Sequence, residues 1–161
     1  MFNYNLFILL ETKVDLKQLE AIAKLLAKNS SLGNIFLLNG ELGAGKTTFV
    51  RFFINSVFDN NSTKRPKFIK SPSFPIMINY PIKNFEVLHY DLYRLNNTNE
   101  LHELNIIESF NENITFIEWP QMILNNLESF NYFFINLEIV NLNERIIKIQ
   151  HTQKIDLNNG T

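Results

Sequence analysis

A run of nine residues in the first third of the chain has the composition of a phosphate-binding loop. Its members are Gly40, Glu41, Leu42, Gly43, Ala44, Gly45, Lys46, Thr47 and Thr48, and the first eight match Gly-x-x-x-x-Gly-Lys-Thr in full. Glycines let the backbone bend so that successive N–H groups converge on a phosphate. Lys46 can reach the β- and γ-phosphates of a nucleotide, and the Thr47 hydroxyl can ligate Mg²⁺.

The segments on either side of the loop are those that such a loop requires. Residues 35–38 are continuously apolar, which is typical of a strand buried on both faces, and they lead directly into the loop. A helix is predicted over residues 47–58, and its N-terminal partial positive charge would add to the attraction for phosphate. This context favours a phosphate site over a plain glycine-rich turn.

Two acidic residues close predicted strands and are candidates for the metal. Asp91 ends the run at residues 85–91, and Glu118 ends the run at residues 114–118. A phosphate-binding loop needs an acid at the end of a neighbouring strand to hold Mg²⁺ or its water. Either residue could instead be a solvated acid, so the residues alone leave the choice between them open.

Two polar segments follow the predicted helix. Residues 71–74 read Ser-Pro-Ser-Phe, which suits either a simple turn or a hydroxyl that senses the γ-phosphate. Before them lies a basic run, which is either a solvated loop or a contact for phosphate or RNA. Its members are Lys64, Arg65, Lys67 and Lys70.

The rest of the chain alternates strand and helix patterns. Asp15 and Gln18 are placed to cap a helix that follows a strand at residues 3–10. Further strands are predicted at residues 76–80, 85–90 and 114–117, a helix at 100–110, and a hairpin from 132–140 and 145–150. We therefore expect an α/β fold over residues 1–161 as one domain. It would be a P-loop NTPase-like three-layer sandwich with a mixed, largely parallel central sheet and a C-terminal β-hairpin.

Composition excludes several other classes of protein. The chain has 161 residues with 15 basic and 16 acidic side chains, which argues against binding nucleic acid mainly through a basic surface. It has no cysteine, so disulfides, cysteine nucleophiles and thiolate metal sites are excluded. The apolar run near the N-terminus is a poor signal peptide and too short to span a bilayer. We expect a cytoplasmic protein without membrane association.

Four motifs in this order resemble those of the TsaE (YjeE) family, the small ATPases of bacterial tRNA threonylcarbamoyladenosine (t6A) biosynthesis. They are the loop at residues 40–49, Ser-Pro-Ser-Phe at 71–74, His-Tyr-Asp-Leu-Tyr-Arg-Leu at 89–95 and Ile-Glu-Trp-Pro at 117–120. The resemblance covers nearly the whole chain. It implies binding of ATP or ADP with Mg²⁺, and slow hydrolysis that partner proteins stimulate.

The resemblance also implies the partners and the biological reaction. The proteins TsaD and TsaB form N6-threonylcarbamoyladenosine at position 37 of tRNAs that read codons starting with A. A TsaE-like protein binds that pair and hydrolyses ATP to reset the complex, so it meets tRNA only indirectly.

Roles for individual residues follow from the same resemblance. Glu118 would join Thr47 as a metal ligand, Asp91 would join Lys46 as a catalytic residue, and Trp119 would neighbour the nucleotide bound by residues 40–48. Ser73 would also contact the nucleotide, although the family usually has threonine there. Serine keeps the hydroxyl, so contact with metal or γ-phosphate remains possible.

Two other functions remain open at this point. A small-molecule P-loop kinase normally carries several arginines in a lid, whereas the arginines of this chain, Arg51, Arg65, Arg94 and Arg145, are scattered. A non-catalytic module whose bound nucleotide controls docking of a partner is the other alternative.

Overall fold

The structure, a computed structural model, describes residues 6–157, in which seven strands form one mixed sheet. The strands are β1 (Phe7–Val14), β2 (Ile35–Asn39), β3 (Met77–Ile82), β4 (Phe85–Asp91), β5 (Ile114–Glu118), β6 (Phe133–Ile139) and β7 (Arg145–His151). The α-helices are α1 (Leu16–Lys28), α2 (Lys46–Asn60) and α3 (Thr98–Glu103). Short 3₁₀ helices span Ile107–Glu112, Pro120–Met122 and Leu124–Asn126.

The middle of the sheet is parallel and its two sides are antiparallel. The strand order is β1-β7-β6-β2-β5-β4-β3, and the four strands from β6 to β4 run parallel. The register pairs Glu118 with Leu38 on one side and with Asp91 on the other. Because parallel strands end at the same edge of a sheet, the loop after β2 and both acids lie together at that edge.

Apolar residues of the central strand alternate between two cores. Phe36 and Leu38 face a core closed by α1 and α2, while Ile35 and Leu37 face a second core below α3 and the 3₁₀ helices. In the first core the Phe36 and Phe116 rings stack with centroids 4.7 Å apart. The sheet lies between these two cores, so the sheet and the helices on its two faces form the three layers of the expected α/β fold. The antiparallel β6–β7 pair is the expected C-terminal hairpin.

The start of α1 confirms the predicted capping box. Asp15 Oδ1 accepts a hydrogen bond of 2.8 Å from the Gln18 N–H, and Gln18 Oε1 accepts one of 2.9 Å from the Asp15 N–H. Both otherwise unpaired backbone donors are thereby satisfied, which fixes where the helix begins.

Several element boundaries differ from the prediction. The first strand lies at Phe7–Val14 instead of residues 3–10, of which 3–5 are outside the described residues. The helix predicted over residues 100–110 is divided because Asn105 has a φ of 48°, a left-handed conformation that interrupts a right-handed helix. Helix α2 extends to Asn60, two residues further than predicted. Between residues 6 and 157, the structure contains no helix with the length and apolar content needed to cross a membrane.

Candidate nucleotide site

Glycine is required where the loop leaves β2 and where it enters α2. A Cβ at Gly40 would lie 2.4 Å from the Leu137 carbonyl oxygen of β6, and Gly40 has a φ of 141°. Gly45 precedes α2 with a φ of 108°. At both positions the backbone has a conformation that residues with a side chain rarely adopt. This conformation belongs to the loop geometry that exposes N–H groups.

The Lys46 ammonium is folded back onto the loop. Its Nζ donates to the carbonyl oxygens of Gly40 and Glu41 at 2.7 and 2.9 Å, and it lies 4.1 Å from the ring centroid of Trp119. Burial lowers the pKa of Lys46, and the nearby carboxylates of Glu118, Asp91 and Glu41 oppose that shift. A phosphate oxygen would give this cation a stronger partner than the two neutral carbonyls.

Glu118 receives two hydrogen bonds on one carboxylate oxygen. The Thr47 hydroxyl donates to Glu118 Oε1 at 2.8 Å, and His89 Nε2 lies at 2.8 Å from the same oxygen. Glu118 and His89 are both buried. His89 Nδ1 has no hydrogen-bond partner within residues 6–157, so the contact with Glu118 is the one hydrogen bond of this ring in the described part of the chain.

Asp91 is held by donors from two segments. Its Oδ2 accepts a hydrogen bond of 2.6 Å from the Ser73 hydroxyl, and its Oδ1 accepts one of 3.1 Å from the Tyr93 N–H. Ser71 Oγ lies 2.7 Å from Ser73 Oγ and 3.4 Å from Asp91 Oδ2. The Ser-Pro-Ser-Phe segment therefore contacts the buried acid directly, and it is more than a surface turn.

These groups line a cleft of about 190 Å³. The predicted site residues that line it are Leu42, Gly43, Gly45, Lys46, Thr47, Thr48, Ser73, Asp91, Glu118 and Trp119. Gly40 and Glu41 contribute carbonyl oxygens to Lys46, whereas the Ala44 side chain is buried in the core and faces away from the cleft. Trp119 adopts a left-handed conformation with a φ of 58° and packs against Tyr93.

The chemistry of the donor set fits Mg²⁺. The Thr47 hydroxyl and the carboxylates of Glu118 and Asp91 offer oxygen atoms, the ligands that Mg²⁺ prefers. No group of three or more His, Cys, Asp or Glu side chains in the described part of the chain could enclose a metal by itself. Mg²⁺ normally keeps several waters and takes substrate phosphates as ligands, so one or two protein oxygens are sufficient.

A larger groove, of about 510 Å³, also borders the loop and was not predicted from the sequence. Its wall is formed by the start of α1, the loop glycines and the turn between β6 and β7, and it includes Leu16, Lys17, Leu19, Thr48, Leu142 and Arg145. Thr48 lines both the groove and the cleft. No local motif marks the groove, because its wall comes from segments more than a hundred positions apart along the chain.

The basic run before residue 71 does not line the cleft. Arg65 forms an exposed ion pair with Asp59, whose carboxylate accepts a hydrogen bond of 2.7 Å from Arg65 Nε. That hydrogen bond lowers the pKa of Asp59. Arg65 is therefore paired with a residue at the end of α2, as expected if the basic run is a solvated loop.

The fold and the loop define a protein of the P-loop NTPase-like α/β class. Over residues 14–149 the chain matches the family described as threonylcarbamoyl adenosine biosynthesis protein TsaE. A Rickettsia felis protein named tRNA threonylcarbamoyladenosine biosynthesis protein TsaE is 38% identical over 133 residues, 83% of this chain and 74% of that one. Its Rickettsia typhi counterpart is 37% identical over 134 residues, 83% of this chain and 89% of that one.

A solved structure shares the fold. The crystal structure of YdiB from Bacillus subtilis aligns with a TM-score of 0.66 and 24% identity, over 92% of this chain and 88% of that chain. The match to the family and the relatives together establish the assignment: the chain belongs to the TsaE family, whose members are named for t6A biosynthesis.

Proposed function

We propose that this protein is a Mg²⁺-dependent ATPase that acts in the cytoplasm with TsaD and TsaB to form t6A at position 37 of tRNA. The observation that carries the ATPase proposal is the contact between Thr47 and Glu118 beside the phosphate loop. A hydroxyl from the first turn of the loop helix and an acid from the adjacent strand end are the pair that phosphoryl-transfer sites place around a nucleotide-bound metal.

In this proposal the loop residues hold the phosphates. Lys46 leaves the carbonyls of Gly40 and Glu41 and pairs with the β- and γ-phosphates, while loop N–H groups and the N-terminus of α2 face the remaining negative charge. Bound Mg²⁺ would neutralise charge that develops on the phosphate oxygens. Thr47 and Glu118 are the residues that would hold it.

Asp91 is the proposed catalytic residue that positions the attacking water. It lies at the C-terminal end of β4 next to β5, and its carboxylate lines the same cleft as Lys46. The hydrogen bonds from Ser73 and the Tyr93 N–H fix the orientation of this carboxylate. A carboxylate oriented in this way can accept a hydrogen bond from the attacking water and set its direction toward the γ-phosphorus.

The groove beside the loop is the proposed position of the nucleoside. It borders Gly43, Gly45 and Thr48, which also border the cleft, so a ligand can occupy both spaces while its phosphates lie in the loop. Apolar side chains of Leu16, Leu19 and Leu142 line it, as expected for a surface that contacts a base.

Slow turnover of the isolated chain is part of the proposal. The Leu42 side chain, which lines the cleft, is 82% exposed, and Phe74, the neighbour of the cleft residue Ser73, is 83% exposed. Exclusion of water normally needs a cover over the cleft. A partner surface that covers these side chains would supply it, which supports stimulation by TsaD and TsaB.

Titration of a fluorescent ADP analogue tests the nucleotide site. Lys46→Ala should lower affinity roughly tenfold or more, because one charge-assisted pairing with phosphate is lost. Lys28→Ala removes an equal charge at the far end of α1 and should leave affinity unchanged. Equal affinity of the wild type and a folded Lys46→Ala variant would refute the phosphate-loop assignment.

A further inference from the structure

Arg145, the first residue of β7, links the turn between β6 and β7 to the phosphate loop. Its Nε donates to the Ala44 carbonyl oxygen at 3.1 Å, and Nη2 lies 3.4 Å from the Gly43 carbonyl oxygen. Nη1 donates to the carbonyl oxygens of Asn141 and Glu144 at 2.6 and 2.9 Å. One guanidinium therefore joins two segments 101 positions apart in the chain.

The turn that carries this arginine is itself held in place. The Asn141 and Glu144 side chains form a hydrogen bond of 2.7 Å, and Asn141 Oδ1 accepts from the backbone N–H groups of Asn143 and Glu144. Lys13 of β1 forms an ion pair of 3.0 Å with Glu144. The turn thus holds the guanidinium through Nη1, while Nε and Nη2 are directed to the loop.

The hydrogen bond to Ala44 has a consequence for the next N–H group. In a trans peptide the C=O and the following N–H point in opposite directions, and the structure contains no cis peptide within residues 6–157. Holding the Ala44 carbonyl toward Arg145 therefore turns the Gly45 N–H away from the hairpin. Gly45 lines the cleft that holds Lys46, and its φ of 108° is a conformation that glycine adopts without strain.

We propose that Arg145 is a positioning residue that fixes the peptide planes of the phosphate loop in their anion-binding orientation. It acts through the backbone of Gly43 and Ala44, without contacting the reacting atoms. The inference rests on the proposed nucleotide function and deepens it, because it assigns loop preorganisation to a residue outside the phosphate-binding motif. Preorganised donors bind an anion more tightly because less ordering remains to be done on binding.

Competition binding with ATP, ADP, AMP and adenosine against the fluorescent ADP analogue tests the proposal. Arg145→Ala should weaken ADP and ATP on the order of tenfold, the effect of about one lost hydrogen bond, and weaken adenosine far less, although Arg145 also lines the groove. Arg145→Lys keeps the positive charge but lacks the planar fork that reaches both segments, so it should show a similar loss. Lys148→Met is the matched control, since it removes a cation from the same strand whose ion-pair partner is Glu11 of β1 and not the turn or the loop, and it should bind like the wild type.

Chemical rescue by methylguanidinium distinguishes a positioning role of Arg145 from a general structural role. Added at millimolar concentration, this compound should restore ADP affinity to Arg145→Ala and have no effect on the wild type. Full affinity in Arg145→Lys would show that charge alone matters, and equal losses for adenosine and ADP would show that Arg145 only supports the groove wall. Either result would overturn the proposal.

The same experiment separates this inference from the proposed function. If the wild type binds none of the four ligands, the nucleotide assignment itself is wrong. If the wild type binds ADP and both folded Arg145 variants bind it equally well, only the positioning role is wrong. Should Arg145→Ala not fold, Arg145→Lys and the comparison of ADP with adenosine decide the question.

Discussion

Thr47 Oγ1 and Glu118 Oε1 form a hydrogen bond of 2.8 Å although 71 positions separate the two residues in the chain. The register of β2 beside β5 accounts for this contact, because it pairs Leu38 with Glu118 at the edge where the loop begins. The same carboxylate oxygen contacts His89, so its orientation is set from two elements. A ligand that takes the Thr47 hydroxyl oxygen therefore meets a carboxylate already in place.

The Lys46 ammonium and the Trp119 ring predict an optical signal for nucleotide binding. The chain has one tryptophan, so its emission can be observed without interference from another indole. When phosphate attracts Lys46 Nζ, the cation should move from its position 4.1 Å from the ring centroid, and Trp119 emission should change. Fluorescence titration with ADP measures the effect.

Lys46→Met is the control for this signal because it removes the cation and keeps an unbranched side chain. Its emission should differ from the wild type before nucleotide is added and should respond little to ADP. An unchanged wild-type spectrum at saturating ADP would contradict the proposed movement of Lys46.

Neutral substitutions of Asp91 and Glu118 should change different properties, the first turnover and the second the Mg²⁺ dependence of nucleotide affinity. Asp91→Asn should leave ADP affinity unchanged and lower kcat on the order of a hundredfold, because only the orientation of the water is lost. Glu118→Gln should make nucleotide affinity insensitive to Mg²⁺. Isothermal titration with and without Mg²⁺, together with phosphate release, measures both effects. Identical behaviour of the two variants would leave one shared acidic site without separate roles.

The hydroxyl of Ser73 should matter for turnover through its contact with Asp91. Ser73→Ala removes the 2.6 Å hydrogen bond to Oδ2 and should lower kcat by roughly tenfold, whereas Ser73→Thr keeps the hydroxyl and should retain most of it. Ser71→Ala is the matched comparison, since Ser71 Oγ lies at 3.4 Å and should contribute less. A larger loss in Ser71→Ala would show that the wrong serine has been assigned. Steady-state phosphate release decides between them.

His151 predicts a loss of stability in mild acid. It is 4% exposed at the end of β7 against the Phe133 ring, and burial lowers its pKa below the ordinary 6.5. As pH falls through that ordinary value, the unfolded chain protonates His151 before the folded protein does, so the unfolding free energy decreases. The contribution has a slope of at most about 1.4 kcal/mol per pH unit.

Urea unfolding at about pH 7.5 and about pH 5.5 measures this dependence. His151→Phe should remove its part of the pH dependence, while His102→Asn, which changes an exposed histidine on α3, should not. If the exposed histidine accounted for the loss, the assignment to His151 would be wrong.

Much of the site could be predicted because its signals are local. The apolar run of residues 35–38, the glycines and Lys46 lie within a dozen consecutive residues. Asp91 and Glu118 each close a strand, and the parallel register then brings them side by side. A position for His89 near the site could also be predicted, because residues two apart on a strand share a face and His89 lies two positions before Asp91.

The remainder depends on pairings that no local pattern specifies. Arg145 was one of four scattered arginines, and its contact with Ala44 follows only from the pairing of β7 with β6 and β1. The break at Asn105 had only a weak local signal, because asparagine tolerates the left-handed conformation but the surrounding residues have helical spacing.

ATP turnover of this protein, alone and with purified TsaD and TsaB, tests the central claim most directly. The open cleft beside the exposed Leu42 and Phe74 predicts slow phosphate release from the isolated chain and a clear acceleration by the partner pair. The acceleration should be absent in Asp91→Asn, which serves as the catalytic control. Fast hydrolysis by the isolated protein, or no effect of the partners at any nucleotide concentration, would contradict the account.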